Sequence, residues 1–259
     1  MAKPSTEELA LVPHYFINSH SIQSPFSAAD YERYALQAVE KIFHTSDVAI
    51  MVGGTGLYIK AFCEGLDDIP AVDAAVKERI ALQYETGGME WLQAAVEKED
   101  PQYFQQGEIF NPQRMLRALE VKLSTGASII RFQRKQKKER DFNIIKIGLE
   151  LPRPVLYDRI NKRVNGMIEQ GLEAEVEALV NYKHLNALQT VGYRELFDLN
   201  EGKHSREKAI ELIKQNTRHY AKRQMTWFKK DEEMEWVDGQ DANAAAASML
   251  KMIANKKLL

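Results

Sequence analysis

Apolar positions recur at helical spacing over most of the chain. Ser27-Ala-Ala-Asp30 has the form of a capping box, whose side chains satisfy free N–H groups at a helix start, and the spacing that follows predicts a helix to about Phe43. Residues 72–126 are helical in pattern throughout. Helix breakers interrupt that stretch at Gly87-Gly88, Pro101 and Pro112. The pattern is helical again over about 154–169, 172–183, 191–199 and 205–229.

Three short segments have the pattern of β-strands instead. Val48–Val52 is an unbroken apolar run, as a buried parallel strand would be, and Gly53-Gly-Thr-Gly56 and a predicted helix from Leu57 follow it. This order of strand, glycine turn and helix predicts one βα unit of an α/β sheet. Phe142–Leu151 predicts the next strand, and Met234–Val237 a last one.

The order of these elements predicts an α/β fold with a parallel sheet and an inserted helical domain. Because a long helical stretch separates two predicted strands, the insertion is placed at residues 70–141. The α/β core then comprises residues 1–69 and 142–259.

Composition excludes several classes of protein. The 259 residues are 44% hydrophobic and 28% charged, which suits a globular protein with a large core. No apolar run is long enough to span a bilayer, and the N-terminus has no apolar signal core, so a cytoplasmic protein without membrane contact is expected. A single cysteine excludes an internal disulfide and a Cys-based zinc site. The six histidines have no metal-ligand spacing, so no metal ligand is predicted.

Positive charge is concentrated in two segments, although the net charge is only -2. Residues 131–140 contain six bases and one acid, and residues 214–230 contain six bases and no acid. Acids are concentrated in residues 64–100 and 231–241. Since a polyanion responds to the local potential within roughly 10 Å at ordinary salt, this distribution allows a nucleic-acid partner.

Val52–Lys60 places glycines between a predicted strand and a predicted helix. Glycines let the backbone approach a ligand closely, and a helix start attracts anions. Thr55 could donate a hydrogen bond there, although a tight turn without a ligand explains the spacing equally well. The segment is not a phosphate-binding P-loop, because Gly-x-x-x-x-Gly-Lys-Ser/Thr occurs nowhere in the sequence.

Asn111–Val121 places two arginines on one face of a predicted helix. Arg114 and Arg117 are three residues apart and could fork onto phosphates or stack on a base. The alternative is a solvated helix face on which an arginine pairs with Glu120.

Thr190–Glu195 presents an aromatic ring and a guanidinium group at a helix start. Gly192, Tyr193 and Arg194 have the composition that holds an unstacked base. In the alternative interpretation Tyr193 lies in the core and Arg194 pairs with Glu195 or Asp198.

A basic stripe lies on the helix predicted over 205–229. Residues 214–230 contain no acid, so the stripe has no carboxylate four positions away, whereas a helix that is merely soluble usually mixes signs. An anion-binding role is therefore favoured, with Tyr220 and Trp227 predicted to pack inward. The stripe consists of Lys214, Arg218 and Lys222, with Arg223 beside it. Arg153, Arg159 and Arg163 form another basic set, which ordinary surface charge explains equally well.

Seven strings in the sequence occur in a familiar order, and together they resemble the tRNA dimethylallyltransferase (isopentenyltransferase) family. The similarity covers essentially the whole chain. Any one string is weak evidence for the family, but seven strings in the correct order are strong evidence. The strings are Ala2–Glu8, Pro13-His14, Phe26–Asp30, Gly53–Tyr58, Gln113–Glu120, Val191–Arg194 and Ala221–Trp227.

The resemblance implies an activity, a fold and partners. The family transfers a dimethylallyl group from dimethylallyl diphosphate to N6 of the adenosine just 3′ of the tRNA anticodon. Its fold resembles P-loop kinases, which implies ATP or other nucleotide binding, and its helical insertion clasps the anticodon stem-loop. The adenine must leave the base stack, and Mg²⁺ with arginines must stabilise the leaving pyrophosphate. A monomer is expected.

The resemblance also implies roles for individual residues. Thr55 is expected to contact RNA near the reacting base, Lys77 to contact tRNA from the insertion, and Arg163 to bind the diphosphate. The other expected tRNA contacts are Gln113, Arg114 and Arg117 at the anticodon loop, Gly192, Tyr193 and Arg194 along the channel, and Arg218, Lys222, Arg223 and Gln224 along the RNA backbone.

The sequence departs from the family pattern at its beginning. The family starts with a strand, a P-loop ending in Lys-Thr or Lys-Ser, and an Asp that acts as general base on N6. Here Met1-Ala-Lys-Pro starts just after that region, so no catalytic residue is assigned. The expectation is a truncated form that lacks the first strand of the sheet and is inactive alone.

Two alternatives to this enzyme stay open at the level of sequence. One is a non-catalytic RNA-binding paralogue without a diphosphate site. The other is a small-molecule kinase of the P-loop class, which would bind ATP and be indifferent to RNA. The basic stripe and the missing P-loop argue against the kinase.

Overall fold

The computed structural model describes residues 4–134 and 136–257. The chain forms two compact units. The larger unit consists of Met1–Cys63 and Asp141–Leu259, and the smaller unit is Glu64–Arg140. The smaller unit, like the predicted insertion, interrupts an α/β part of the chain.

The larger unit contains most of the helices and both described strands. Its helices are α1 (Thr6–Leu11), α2 (Ala28–Phe43), α3 (Gly56–Glu64), α7 (Arg153–Glu169), α8 (Leu172–Glu177), α9 (Tyr193–Asn200), α10 (Arg206–Phe228) and α11 (Ala242–Lys257). The capping box predicted at the start of α2 is confirmed, since Ser27 and Asp30 exchange side-chain and backbone hydrogen bonds. In the part of the chain that the structure describes, no helix is both long enough and apolar enough to cross a bilayer.

The smaller unit is helical, with α4 (Ala74–Glu99), α5 (Pro101–Gln106) and α6 (Pro112–Thr125). The predicted breaks are confirmed. Gly88 bends α4 with a φ of 60° and a ψ of -153°, and a proline occupies the first turn of α5 and of α6, where its missing N–H costs nothing.

The core of the smaller unit lies between α4 and α6. Leu92 and Val96 on α4 and Met115 on α6 are fully buried. Leu92 and Val96 are four residues apart, and on α6 the buried Ala118 and Leu119 follow Met115 by three and four residues, so each helix buries one face, as the apolar pattern requires. The side chain of Asp100 then accepts a hydrogen bond of 3.1 Å from the N–H of Tyr103 and caps α5.

The sheet of the larger unit has two described strands, β1 (Ile147–Glu150) and β2 (Glu235–Asp238). They pair in parallel, with Ile147 opposite Glu235. The predicted last strand is confirmed, whereas only residues 147–150 of the predicted strand Phe142–Leu151 are paired. The α/β class with a parallel sheet is therefore present.

A buried cation anchors the entry to both strands. Lys146 directly precedes β1, and its ammonium donates hydrogen bonds of 2.7 Å to Asp231 and 2.8 Å to Glu233, just before β2. Burial opposes the charge of Lys146, but the hydrogen bonds to the two carboxylates outweigh it and raise the pKa of the amine. The ion pairs therefore help to set the register of the two strands.

The strand predicted at Val48–Val52 is wrong for this structure. The segment belongs to no strand, and the side chains of Ile50 and Val52 are 79% and 90% exposed. An apolar run of this kind becomes a buried strand only where a neighbouring strand pairs with it. Among the described residues the sheet consists of β1 and β2 alone, so Val48–Val52 has no strand partner.

Candidate nucleic-acid interface

Helix α10 packs closely against the glycine loop, which we define as Val52–Gly56. The side-chain amide of Gln224 donates a hydrogen bond of 3.0 Å to the carbonyl of Gly54, and the hydroxyl of Tyr220 donates to the same carbonyl at 3.4 Å. A Cβ on Gly56 would lie 2.6 Å from Cδ1 of Trp227. A larger residue there would meet the indole ring of Trp227, which would have to shift.

Thr55 is presented on the outside of this loop. Its carbonyl accepts hydrogen bonds from the N–H groups of Tyr58 at 2.9 Å and Ile59 at 3.1 Å, which start α3. Its side chain is exposed, and within residues 4–134 and 136–257 the hydroxyl has no protein partner. The loop therefore holds a free hydroxyl at a fixed backbone position.

An open groove of about 490 Å³ runs along the exposed face of α10 and is called the basic groove. Lys222 and Arg223 are exposed, and no carboxylate pairs with either of them in the described part of the chain. Unpaired cations on one helix face attract a phosphate backbone. The groove is lined by His219, Lys222, Arg223, Thr226, Trp227 and Lys230.

Two aromatic rings are open to solvent here, that of Trp227 in the lining of the basic groove and that of Tyr220 on the same helix. Tyr220 is 39% exposed and Trp227 is 42% exposed, so the prediction that both pack inward is wrong. The side of α10 that they occupy faces glycines, which have no side chains to cover the rings. The guanidinium carbon of Arg223 lies 5.7 Å from the centre of the Tyr220 ring. Ring and guanidinium together offer a surface on which a base could stack.

Arg218 and Gln224 are occupied by other parts of the larger unit. Arg218 donates hydrogen bonds of 2.9 Å to Asn161 on α7 and of 3.1 Å to Glu211. Glu211 precedes Arg218 by seven residues, so it was not among the carboxylates four positions away that the sequence analysis considered. Gln224 is turned toward Gly54. Both side chains hold the scaffold of the groove, and their expected RNA contacts stay predictions.

Gly192 starts α9 from a conformation that favours glycine, with a φ of 98°. Its N–H donates a hydrogen bond of 2.7 Å to the buried carboxylate of Glu195. The other carboxylate oxygen accepts a hydrogen bond of 2.6 Å from the amide of Asn216 on α10. Sequence reasoning missed this junction between α9 and α10, although an acidic residue three positions after Gly192 is a capping signal.

Tyr193 and Arg194 point to different environments. The Tyr193 ring packs against the apolar core of α7 to α10, and its hydroxyl donates to Glu175. Burial, together with this hydrogen bond, raises the pKa of Tyr193 to about 12. Arg194 is exposed. The structure thus realises the core alternative for Tyr193, and RNA contacts of Gly192, Tyr193 and Arg194 stay predictions.

The basic residues of the smaller unit lie on its surface. Lys77, Gln113 and Arg114 are exposed, and the side chain of Arg117 is 43% exposed. Arg114 pairs with Glu108, and Arg117 approaches Glu120 at 3.7 Å, as in the ion-pair alternative. Such exposed pairs contribute little and can give way to a phosphate.

The structure describes no cluster of candidate metal ligands. No group of three or more His, Cys, Asp or Glu side chains converges within the ranges 4–134 and 136–257. Arg163, the residue predicted for the diphosphate, is exposed on α7. This does not test the expected Mg²⁺, because Mg²⁺ commonly takes one or two carboxylates together with substrate phosphates and waters, and it stays a proposal.

Comparison with known proteins identifies the family. Residues 1–231 match the model of the IPP transferase family, so the chain belongs to that family. It is 46% identical to the tRNA dimethylallyltransferase of Christiangramia forsetii over 237 residues, which are 92% of this chain and 78% of that protein. It is 44% identical to tRNA dimethylallyltransferase 1 of Bacteroides thetaiotaomicron over 235 residues, 91% of this chain and 76% of that protein.

Solved structures confirm the fold class. The full-length tRNA isopentenylpyrophosphate transferase of Bacillus halodurans superposes with a TM-score of 0.68 at 32% identity, covering 98% of this chain and 82% of that one. A eukaryotic dimethylallyltransferase acting on tRNA superposes with a TM-score of 0.79 at 22% identity, covering 99% of this chain and 68% of that one. The second likeness supports the fold alone.

Proposed function

We propose that the protein transfers a dimethylallyl group from dimethylallyl diphosphate to N6 of the adenosine 3′-adjacent to the tRNA anticodon. In this reaction the N6 lone pair attacks C1 of the dimethylallyl group, the bond from C1 to the diphosphate oxygen breaks, and N6 loses a proton. The observation that carries the proposal is the family match over residues 1–231. The basic groove supports it, because its charge and rings suit RNA.

The larger unit would receive the part of the anticodon loop that carries the reacting adenosine. Lys222 and Arg223 would attract the phosphate backbone, while the hydroxyl of Thr55 would donate or accept a hydrogen bond at the flipped adenosine. The exposed rings of Tyr220 and Trp227 lie against the same glycine loop and offer stacking surface. Gln224 acts here by holding the loop.

The smaller unit would contact the anticodon stem-loop. Its exposed polar and basic residues are expected to position the RNA through phosphate contacts and hydrogen bonds to unpaired bases. They are Lys77, Gln113, Arg114 and Arg117.

Several further properties belong to the proposal. Arg163 would bind the diphosphate, and Mg²⁺ would neutralise its charge when bound. Nucleotide binding is inferred because the family's fold resembles P-loop kinases, and a cytoplasmic location because tRNA is the substrate. A monomer is inferred as well. Sedimentation at micromolar concentration would check the monomer.

A transfer assay tests the proposed function. The protein is purified from its source, its intact mass is measured, and it is incubated with Mg²⁺, radiolabelled dimethylallyl diphosphate and unmodified tRNA. Label is expected in the tRNA, on the adenosine after the anticodon, and not in a tRNA with guanosine there. Binding without transfer would instead indicate a non-catalytic RNA-binding protein, and neither binding nor transfer would refute both.

Arg117→Ala is expected to weaken tRNA binding and to lower the salt slope of log affinity by about one unit, because one phosphate contact is lost. The measurement is filter binding over a series of salt concentrations. Arg79→Ala is the matched control, since Arg79 is also an exposed arginine of the smaller unit. An unchanged slope for Arg117→Ala would remove that residue from the interface.

A further inference from the structure

Phe110 is the most exposed aromatic side chain in the part of the chain that the structure describes, at 85%. It lies in the turn Glu108–Asn111, immediately before α6, in the smaller unit. A single exposed apolar side chain is common on protein surfaces, so its meaning depends on how it is held and on which residues accompany it.

The turn that carries Phe110 is held from several sides. The carbonyl of Ile109 accepts a hydrogen bond of 3.0 Å from the side chain of Gln93 on α4. The N–H of Asn111 donates to the carbonyl of Glu108 at 3.3 Å, and Glu108 pairs with Arg114. Ile109 packs against the core of the unit. The ring is thus presented outward by a fixed backbone.

The residues that follow Phe110 in the chain are mostly polar or basic. Gln113 and Arg114 are exposed in the first turn of α6, and the half-exposed Arg117 follows one turn later. A protein-binding surface would place further apolar side chains around the ring. An aromatic residue followed within seven residues by an exposed amide and two guanidinium groups is instead the composition that binds unpaired bases of RNA.

We propose that Phe110 is a stacking platform for one unpaired base of a single-stranded RNA loop, with the neighbouring arginines on the flanking phosphates. That the RNA is the anticodon loop of tRNA rests on the proposed function. A stacking contact of this kind tolerates different bases, because every base has a π-face. The contact therefore contributes affinity and position more than sequence selectivity.

The test measures binding of a fluorescently labelled anticodon stem-loop RNA to the full chain and its variants. Phe110→Ala is expected to weaken binding about five- to a hundredfold, and Phe110→Tyr to restore most of it. The salt slope should stay unchanged for Phe110→Ala, because no phosphate contact is lost. Binding of the same stem closed without a loop should not change.

Leu82→Ala is the matched control, since Leu82 is also an apolar side chain of the smaller unit, on α4, and is 64% exposed. Circular dichroism confirms that each variant is folded. Equal RNA affinity for Phe110→Ala and Leu82→Ala would overturn the stacking role, as would equal loss of binding to the loop-free stem. If the unaltered protein fails to bind either RNA, the proposed function fails rather than the role of this one ring.

Discussion

Leu92→Ala is expected to lower the free energy of unfolding of the smaller unit by about 2–5 kcal/mol. Leu92 is completely buried, and its neighbours in the core include Val96, Met115 and Leu119. Truncation removes apolar contacts and leaves a cavity between α4 and α6 that the two helices cannot close. Urea denaturation, followed by hydrogen exchange of α4 and α6, measures the change.

The control for this prediction is Leu82→Ala, the same substitution on the same helix at a side chain that is 64% exposed. It is expected to change the free energy of unfolding by less than about 0.5 kcal/mol. Under the proposed function, Leu92→Ala also weakens tRNA binding near the unfolding transition, because α4 and α6 carry Lys77 and Arg117. Equal unfolding energies for the two variants would contradict the assignment of this core.

The helical part of the fold could be predicted because its signals are local. Ser27 and Asp30 define the start of α2, the glycine pair bends α4 at Gly88, and Pro112 begins α6. Each signal acts within one or two turns of backbone, so it needs no partner elsewhere in the chain. The helix predicted over 205–229 accordingly agrees with α10 to within one residue at each end.

Strand pairing and ring burial could not be predicted in the same way. Val48–Val52 has the apolar pattern of a strand, but pairing is decided by a neighbouring strand that the segment itself does not specify. Tyr220 and Trp227 have core spacing along α10, yet they face the glycine loop and stay partly exposed. Both errors arise because the hydrophobic pattern describes a single helix or strand, whereas the burial of its side chains also depends on the element that packs against it.

For the candidate site, the sequence could predict which face of α10 is basic but not the hydrogen-bond partners of the side chains on it. The basic stripe on α10 placed Lys222 and Arg223 correctly on an exposed surface. It also included Arg218, whose guanidinium instead bonds Asn161, 57 residues away in the chain. Helical periodicity gives the direction of a side chain, whereas its hydrogen-bond partner comes from tertiary packing.

Glu195→Ala is expected to lower the free energy of unfolding of the larger unit by about 2–6 kcal/mol. The buried carboxylate accepts from the N–H of Gly192 and from the amide of Asn216, so truncation leaves two donors without acceptors, at about 1–3 kcal/mol each. Because the carboxylate joins α9 to α10, the side chains of the basic groove on α10 should also be held less firmly in place. Thermal and urea denaturation measure the first effect, and tRNA affinity the second.

A pair of compensating substitutions can distinguish loss of these hydrogen bonds from simple loss of packing. Glu195→Gln keeps one oxygen for Gly192 but turns an N–H toward Asn216, and Asn216→Asp places two carboxylates against each other, so each single change is destabilising. In the double variant the introduced amide donates to the introduced carboxylate, so the bond between positions 195 and 216 returns with donor and acceptor exchanged, while the N–H of Gly192 still donates to the remaining oxygen at position 195. The double-mutant cycle should therefore show a favourable coupling of about 1–3 kcal/mol. Additive losses would mean that the carboxylate is held by packing alone, and that α9 and α10 are joined through their apolar contacts instead.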